Sequence, residues 1–154
     1  MVADSIEREV RVEAPIETVW AVVTEPAHIS SWLGESAEID LRPGGDLAIS
    51  FGESSTAVGR VEKVERPNLF AFRWVTPEKG LDPERREGWF TQVEFRLTAA
   101  GDATMVRMTE SGFASLAGTE EQAAWLHDRH VGGWGTFMDQ LAAHAASAEA
   151  SARG

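Results

Sequence analysis

From residue 36 to residue 110 apolar side chains recur at every second position, and at Thr119 the spacing changes to that of a helix and holds to Ala146. Two periods in that order restrict the chain to a run of strands closed by one long helix. Leu47, Ile49 and Phe51 alternate with Ala48 and Ser50, and residues 59–65 supply another strand. Phe70, Phe72 and Trp74 share a face opposite Leu69, Ala71 and Arg73. Trp89, Thr91, Val93, Phe95 and Leu97 form a third such face, and Thr104, Val106, Met108 and Glu110 a fourth. The turn signals Arg42-Pro43-Gly44-Gly45, Pro67-Asn68 and Ala100-Gly101-Asp102 separate these runs. Residues 76–88 break the period with two prolines, two glycines and seven charges, the composition of a mobile loop.

Upstream, residues 5–13 place Ile6, Val10 and Val12 on one face and Glu7, Glu9, Arg11 and Glu13 on the other, as a half-buried strand does. Pro15 suits a first helical turn, and Ile16, Val19, Trp20 and Val23 follow at helical spacing. Pro26 ends that helix, and residues 27–33 form a second short one closed by Gly34. The expected architecture is α+β: a curved antiparallel sheet of about six to seven strands wrapped around a long C-terminal helix, with two short helices after the first strand. A chain of 154 residues fits one domain. It is expected over residues 1–146, with residues 147–154 a disordered tail.

Thr119 and Gln122 have capping-box spacing, which starts the closing helix at that point. Its apolar stripe is Leu126, Gly133, Trp134, Phe137, Met138, Leu141 and Ala145. Gly132, Gly133 and Gly135 interrupt it, and each interior glycine costs about 1 kcal/mol relative to alanine. The expectation is that they thin the helix at its middle to leave room for a guest molecule.

Composition removes several functions. Without cysteine there is no disulfide, thiolate nucleophile or thiolate metal site. A formal net charge of -11 repels nucleic-acid phosphates and anionic membrane surfaces within a Debye length of about 8 Å. No stretch approaches a membrane span of about 18 apolar residues, and the N-terminus shows neither the basic start nor the apolar run of a secretory signal. A cytoplasmic protein, monomer or homodimer, is expected.

Ala14-Pro15 before Val19-Trp20, Glu25-Pro26 before Trp32-Leu33-Gly34, and Arg42-Pro43-Gly44-Gly45 stand in a specific order. They continue through Gly59, Val61, Pro67, Leu69 and Trp74 to Glu110-Ser111-Gly112-Phe113, and end at Gly133-Trp134 with Leu141. In this the chain resembles the activator-of-Hsp90-ATPase-homologue (AHSA1) branch of the START-like, or SRPBCC, superfamily over nearly its whole length. The resemblance implies a helix-grip fold with a deep cavity between sheet and closing helix, used across the superfamily for lipids, polyketides, hormones and other apolar molecules. It implies no shared catalytic residue, because members range from ligand carriers and cyclases to resistance proteins and chaperone activators. Eukaryotic chaperone activators carry a further N-terminal domain for which 154 residues leave no room.

The residues expected to line such a cavity are Trp32, Phe51, Phe72, Trp74, Trp89, Phe95, Met108, Trp125, Trp134 and Met138, with Trp32 near its mouth. Glu110 and His130 are the candidate polar anchors. A buried carboxylate has to pair or take up a proton, with Arg60, Arg73 or Arg107 as structural partners if it does not meet a ligand. His127 and His130 stand three residues apart on the closing helix, but no third ligand and no HExxH pattern accompanies them, so no metal or other cofactor is expected. No nucleophile elbow or phosphate-binding loop is present, so no catalytic residue is assigned. These features favour binding of a small hydrophobic or aromatic ligand. The alternatives are a chaperone ATPase-activating interaction module and a cyclase- or hydrolase-type enzyme using the same cavity.

Overall fold

A computed structural model describes residues 3–52, 56–75 and 88–153. Strand β1 (Ser5–Val12) leads into helices α1 (Ile16–Thr24) and α2 (Pro26–Ile29). Strands β2 (Ser36–Ile39), β3 (Asp46–Ser50), β4 (Thr56–Glu65), β5 (Leu69–Val75), β6 (Thr91–Ala100) and β7 (Ala103–Ser111) follow, and helix α3 (Glu120–Arg153) closes the chain. The order across the seven-stranded antiparallel sheet is β1-β7-β6-β5-β4-β3-β2. Six strands therefore form a meander, β1 returns beside the last of them, and α1 and α2 carry the chain from one sheet edge to the other. The fold is the expected α+β helix grip.

Local chemistry accounts for the joints. Pro26 occupies the first turn of α2, where its missing N–H costs nothing. Thr24, buried at the end of α1, donates to the Trp20 carbonyl at 2.7 Å. In β4 the register shifts between Val61 and Lys63, a bulge that bends the strand. Gly59 lies so close to β5 that a Cβ would collide with the Arg73 carbonyl oxygen, so this crossing admits no side chain. The capping box forms as its spacing predicts: the Gln122 N–H donates to Thr119 Oγ1 at 3.1 Å, and the Thr119 N–H to Gln122 Oε1 at 3.0 Å.

One expectation about α3 is corrected. The helix does not stop at Ala146 but runs to Arg153, through residues that composition marks as a disordered tail. Ala145 is fully buried, and Thr18 of α1 donates to Glu149 Oε2 at 2.9 Å, so packing and a clasp to α1 order a segment already rich in alanine. The glycines, in turn, are not required by close approach. A Cβ at Gly132 or Gly135 would meet nothing within 4 Å, and one at Gly133 would make an ordinary contact with Phe137 at 3.5 Å. Gly132→Ala and Gly135→Ala are therefore each expected to stabilise the protein by about 0.5–1 kcal/mol, read as a higher denaturant midpoint at unchanged m-value. A loss of stability in both variants would show that something else occupies that side of the helix.

Candidate functional site

The side chains of the inner sheet face meet α3 around one carboxylate. Period two along β7 puts Glu110 on the face of Thr104, Val106 and Met108, and it is 0% exposed. Trp74 and Thr91 are directly opposed across the β5–β6 ladder, and both donate to Glu110 Oε2, Trp74 Nε1 at 3.0 Å and Thr91 Oγ1 at 2.6 Å. His130 and Trp134 are four residues apart on one face of α3, and both reach Oε1, His130 Nδ1 at 2.7 Å and Trp134 Nε1 at 2.8 Å. A cross-strand pair thus holds one oxygen and a helical pair the other, so Glu110 rivets the helix to the sheet. None of the arginines expected as its partner takes part in these four bonds.

Burial by itself pushes the Glu110 carboxyl up, because it penalises the charge. The hydrogen bond and charge of His130, with the Thr91 and Trp74 donors, outweigh it and hold the group below the ordinary 4.5. A carboxylate gripped this way is a weak base, so the geometry favours positioning over proton abstraction. The sign of the linkage follows. Glu110 contributes stability in full above its unfolded value near 4.5, and that contribution is lost as pH falls through the lower folded value. Acid titration of the unfolding free energy is expected to show this loss below pH 4.5, with a shallower slope in Glu110→Gln.

Around this centre the predicted lining residues pack on one another. Trp74 lies 6.0 Å from Trp134, 5.3 Å from Phe72 and 6.3 Å from Phe51, measured between ring centres. Phe95 meets Trp134 at 6.0 Å and Trp32 at 5.9 Å. Met108 and Met138 are buried in the same cluster. These rings are in mutual contact along the seam between sheet and helix. Trp32 is buried, its Nε1 donates to the Val22 carbonyl at 2.8 Å, and it lines a surface recess. Trp125 is corrected outright. It is 45% exposed, with Arg129 stacked 4.9 Å from its ring centre, because the buried stripe runs through Ala123 and Leu126 and leaves it on the solvent side.

Trp89 is 7% exposed, and its Nε1 is the one buried side-chain polar atom among the described residues without a hydrogen-bond partner. Such an orphan donor costs about 1–3 kcal/mol until a partner arrives. A surface recess of about 240 Å³ opens between residues 30–35, Phe51 and Gln140 of α3. Phe51 lines this recess, is half-buried and touches both Trp74 and Phe137. The mobile loop expected at 76–88 falls, apart from Gly88, outside the described residues. Thr91, Phe137 and Gln140 are members of this region that sequence reasoning did not single out. Thr91 carried a signal, since it shares the face of Trp89 and Val93.

His127 and His130 do not converge on a metal. The His127 ring nitrogen bonds the Ser5 carbonyl at 3.1 Å, while His130 turns inward to Glu110. The described residues hold no group of three or more metal-ligating side chains, and no helix among them is long and apolar enough to cross a membrane.

An antiparallel meander gripped around a long terminal helix defines the helix-grip class. The chain belongs to the AHSA1 family, described as "Activator of Hsp90 ATPase homolog 1-like protein", which matches residues 13–146. Among solved structures it resembles DynU16, a protein in the dynemicin biosynthetic locus, at 25% identity and a TM-score of 0.73 over 96% of this chain and 49% of that one. It spans about half the length of that relative. CalU16 from Micromonospora echinospora is 26% identical with a TM-score of 0.66, covering 90% of this chain and 71% of its own. An Hsp90 activator from Plasmodium falciparum shares the fold at 18% identity, with a TM-score of 0.69 over 90% of this chain and 94% of that one. A comparison with curated proteins finds no match.

Proposed function

We propose that this protein binds a small hydrophobic or aromatic molecule at the seam between the sheet and α3. The observation that carries this reading is the continuity from the recess, through half-buried Phe51, to indoles whose N–H groups are fixed on Glu110. A guest entering there displaces Phe51 and stacks on Trp74 and Trp134, gaining about 25 cal/mol per Å² of apolar surface buried. Interior glycines that packing does not require give α3 a weak point at this level, suited to local opening.

Titrating the protein with a panel of aromatic and polycyclic compounds tests this. At least one is expected to give a saturable change in tryptophan fluorescence and a raised unfolding midpoint, with altered affinity in Phe51→Ala. No response across the panel would overturn it. The family description favours a second reading, an interaction module that stimulates a chaperone ATPase through its acidic surface. Its mark is stimulation of a purified Hsp90-type ATPase that weakens as salt rises, and absence of stimulation removes it.

A further inference from the structure

We propose that His28 and His144 form a two-histidine site for a borderline transition-metal cation of the Zn²⁺ class, which ties α2 to α3. The two residues lie 116 positions apart in sequence, yet His28 Nδ1 and His144 Nε2 face each other at 2.9 Å. Their ring centres are 5.2 Å apart and the planes are inclined by 59°. A cation bound about 2.0–2.1 Å from each nitrogen in tetrahedral geometry sets the ring centres about 5 Å apart. The ring centres therefore already stand at the separation of a metal-bridged pair, and a shared ion requires the rings to turn and the facing nitrogens to part from 2.9 Å to about 3.3 Å.

The protonation state also suits a metal. Burial, then the neighbouring His28, lowers the His144 pKa from the ordinary imidazole value of 6.5, which favours the unprotonated ring a metal requires. In the metal-free pair one imidazole donates its N–H to the other. On binding, the proton between the rings leaves the facing nitrogen for that ring's far nitrogen or for solvent, and both facing nitrogens become ligands. Imidazole nitrogens select Zn²⁺, Ni²⁺ or Cu²⁺ over Mg²⁺ and Ca²⁺, which take oxygen ligands. Water completes the coordination sphere.

The site is separate from the Glu110 centre. It stands at the rim of the recess: Ser30 and Ser31 directly follow α2, and Gln140 precedes His144 by about one turn of α3. A cation held there fixes the distance between the two walls of the opening. This inference does not depend on the recess being a ligand entrance.

Calorimetric titration of the tag-free full chain with ZnCl₂, with MgCl₂ as comparison, tests the proposal. One saturable Zn²⁺ site is expected, with no Mg²⁺ binding at the same concentrations. It is lost in His28→Gln and in His144→Gln and retained in His127→Gln. Zn²⁺ at a hundredfold excess over Kd is expected to raise the unfolding midpoint by about 5–10 °C, by mass action on the folded state. NMR of the unaltered protein gives a second readout that needs no variant, in which Zn²⁺ shifts the imidazole resonances of His28 and His144 and leaves those of His127 unmoved. No saturable Zn²⁺ binding, or binding that survives in both His28→Gln and His144→Gln, would overturn the proposal.

Discussion

Glu110→Ala is expected to cost about 4 kcal/mol and to lower the unfolding midpoint by roughly 10 °C or more, because it strips the acceptor from four buried donors at once. Trp74 Nε1, Trp134 Nε1 and Thr91 Oγ1 are buried and His130 is largely so, and each unmet donor carries its own desolvation cost. Glu110→Gln separates charge from shape. One amide oxygen still accepts from the helical pair or from the cross-strand pair, while the amide NH₂ faces the other two donors, so a smaller loss of about 2–3 kcal/mol is expected. Combining Glu110→Gln with His130→Gln should recover part of the sum of the single losses, since the two groups share one bond. Chemical denaturation of the four proteins measures this cycle. A Glu110→Ala protein within about 1 kcal/mol of the parent would show that the rivet does not carry the helix.

The half of this rivet that lies on β7 was legible, and the other half was not. Strict alternation along Thr104, Val106, Met108 and Glu110 is enough to turn the carboxylate inward, because period two admits one answer once the register is fixed. Its partners come from β5, β6 and α3, and which indole reaches which oxygen depends on how those elements are brought together. Nearby arginines were therefore as reasonable as tryptophans until the strands were in place. The closing helix shows the same division. Thr119 and Gln122 announced its start through a purely local bond pair. Its end was misjudged because the clasp that continues it, from Thr18 to Glu149, spans 131 residues. Trp125 was misplaced by a single position, about 100° around a helix, which is enough to turn a core ring into an exposed one. Counting aromatic residues does not distinguish rings that border a void from rings that fill it.

Trp134→Ala decides that last distinction by experiment. Trp134 is buried against Trp74, Phe95 and Phe137, and its N–H is one of the two donors that α3 sends to Glu110. Truncating it is expected to cost about 3–5 kcal/mol in stability and to leave an apolar void about the size of the lost indole. Trp134→Phe keeps most of the ring contact and loses mainly the donor, so about 1–2 kcal/mol is expected there. The void has a chemical signature. Free indole should bind the alanine variant and restore part of its midpoint, while the parent, whose own Trp134 occupies that space, should respond far less to the same concentration. Thermal unfolding with and without indole reads both effects. If the parent takes up indole as readily as Trp134→Ala does, the rings seen in contact separate easily, and the seam is an open binding site in the resting protein. If neither protein responds and the alanine variant loses less than about 1 kcal/mol, Trp134 does not hold α3 on the sheet.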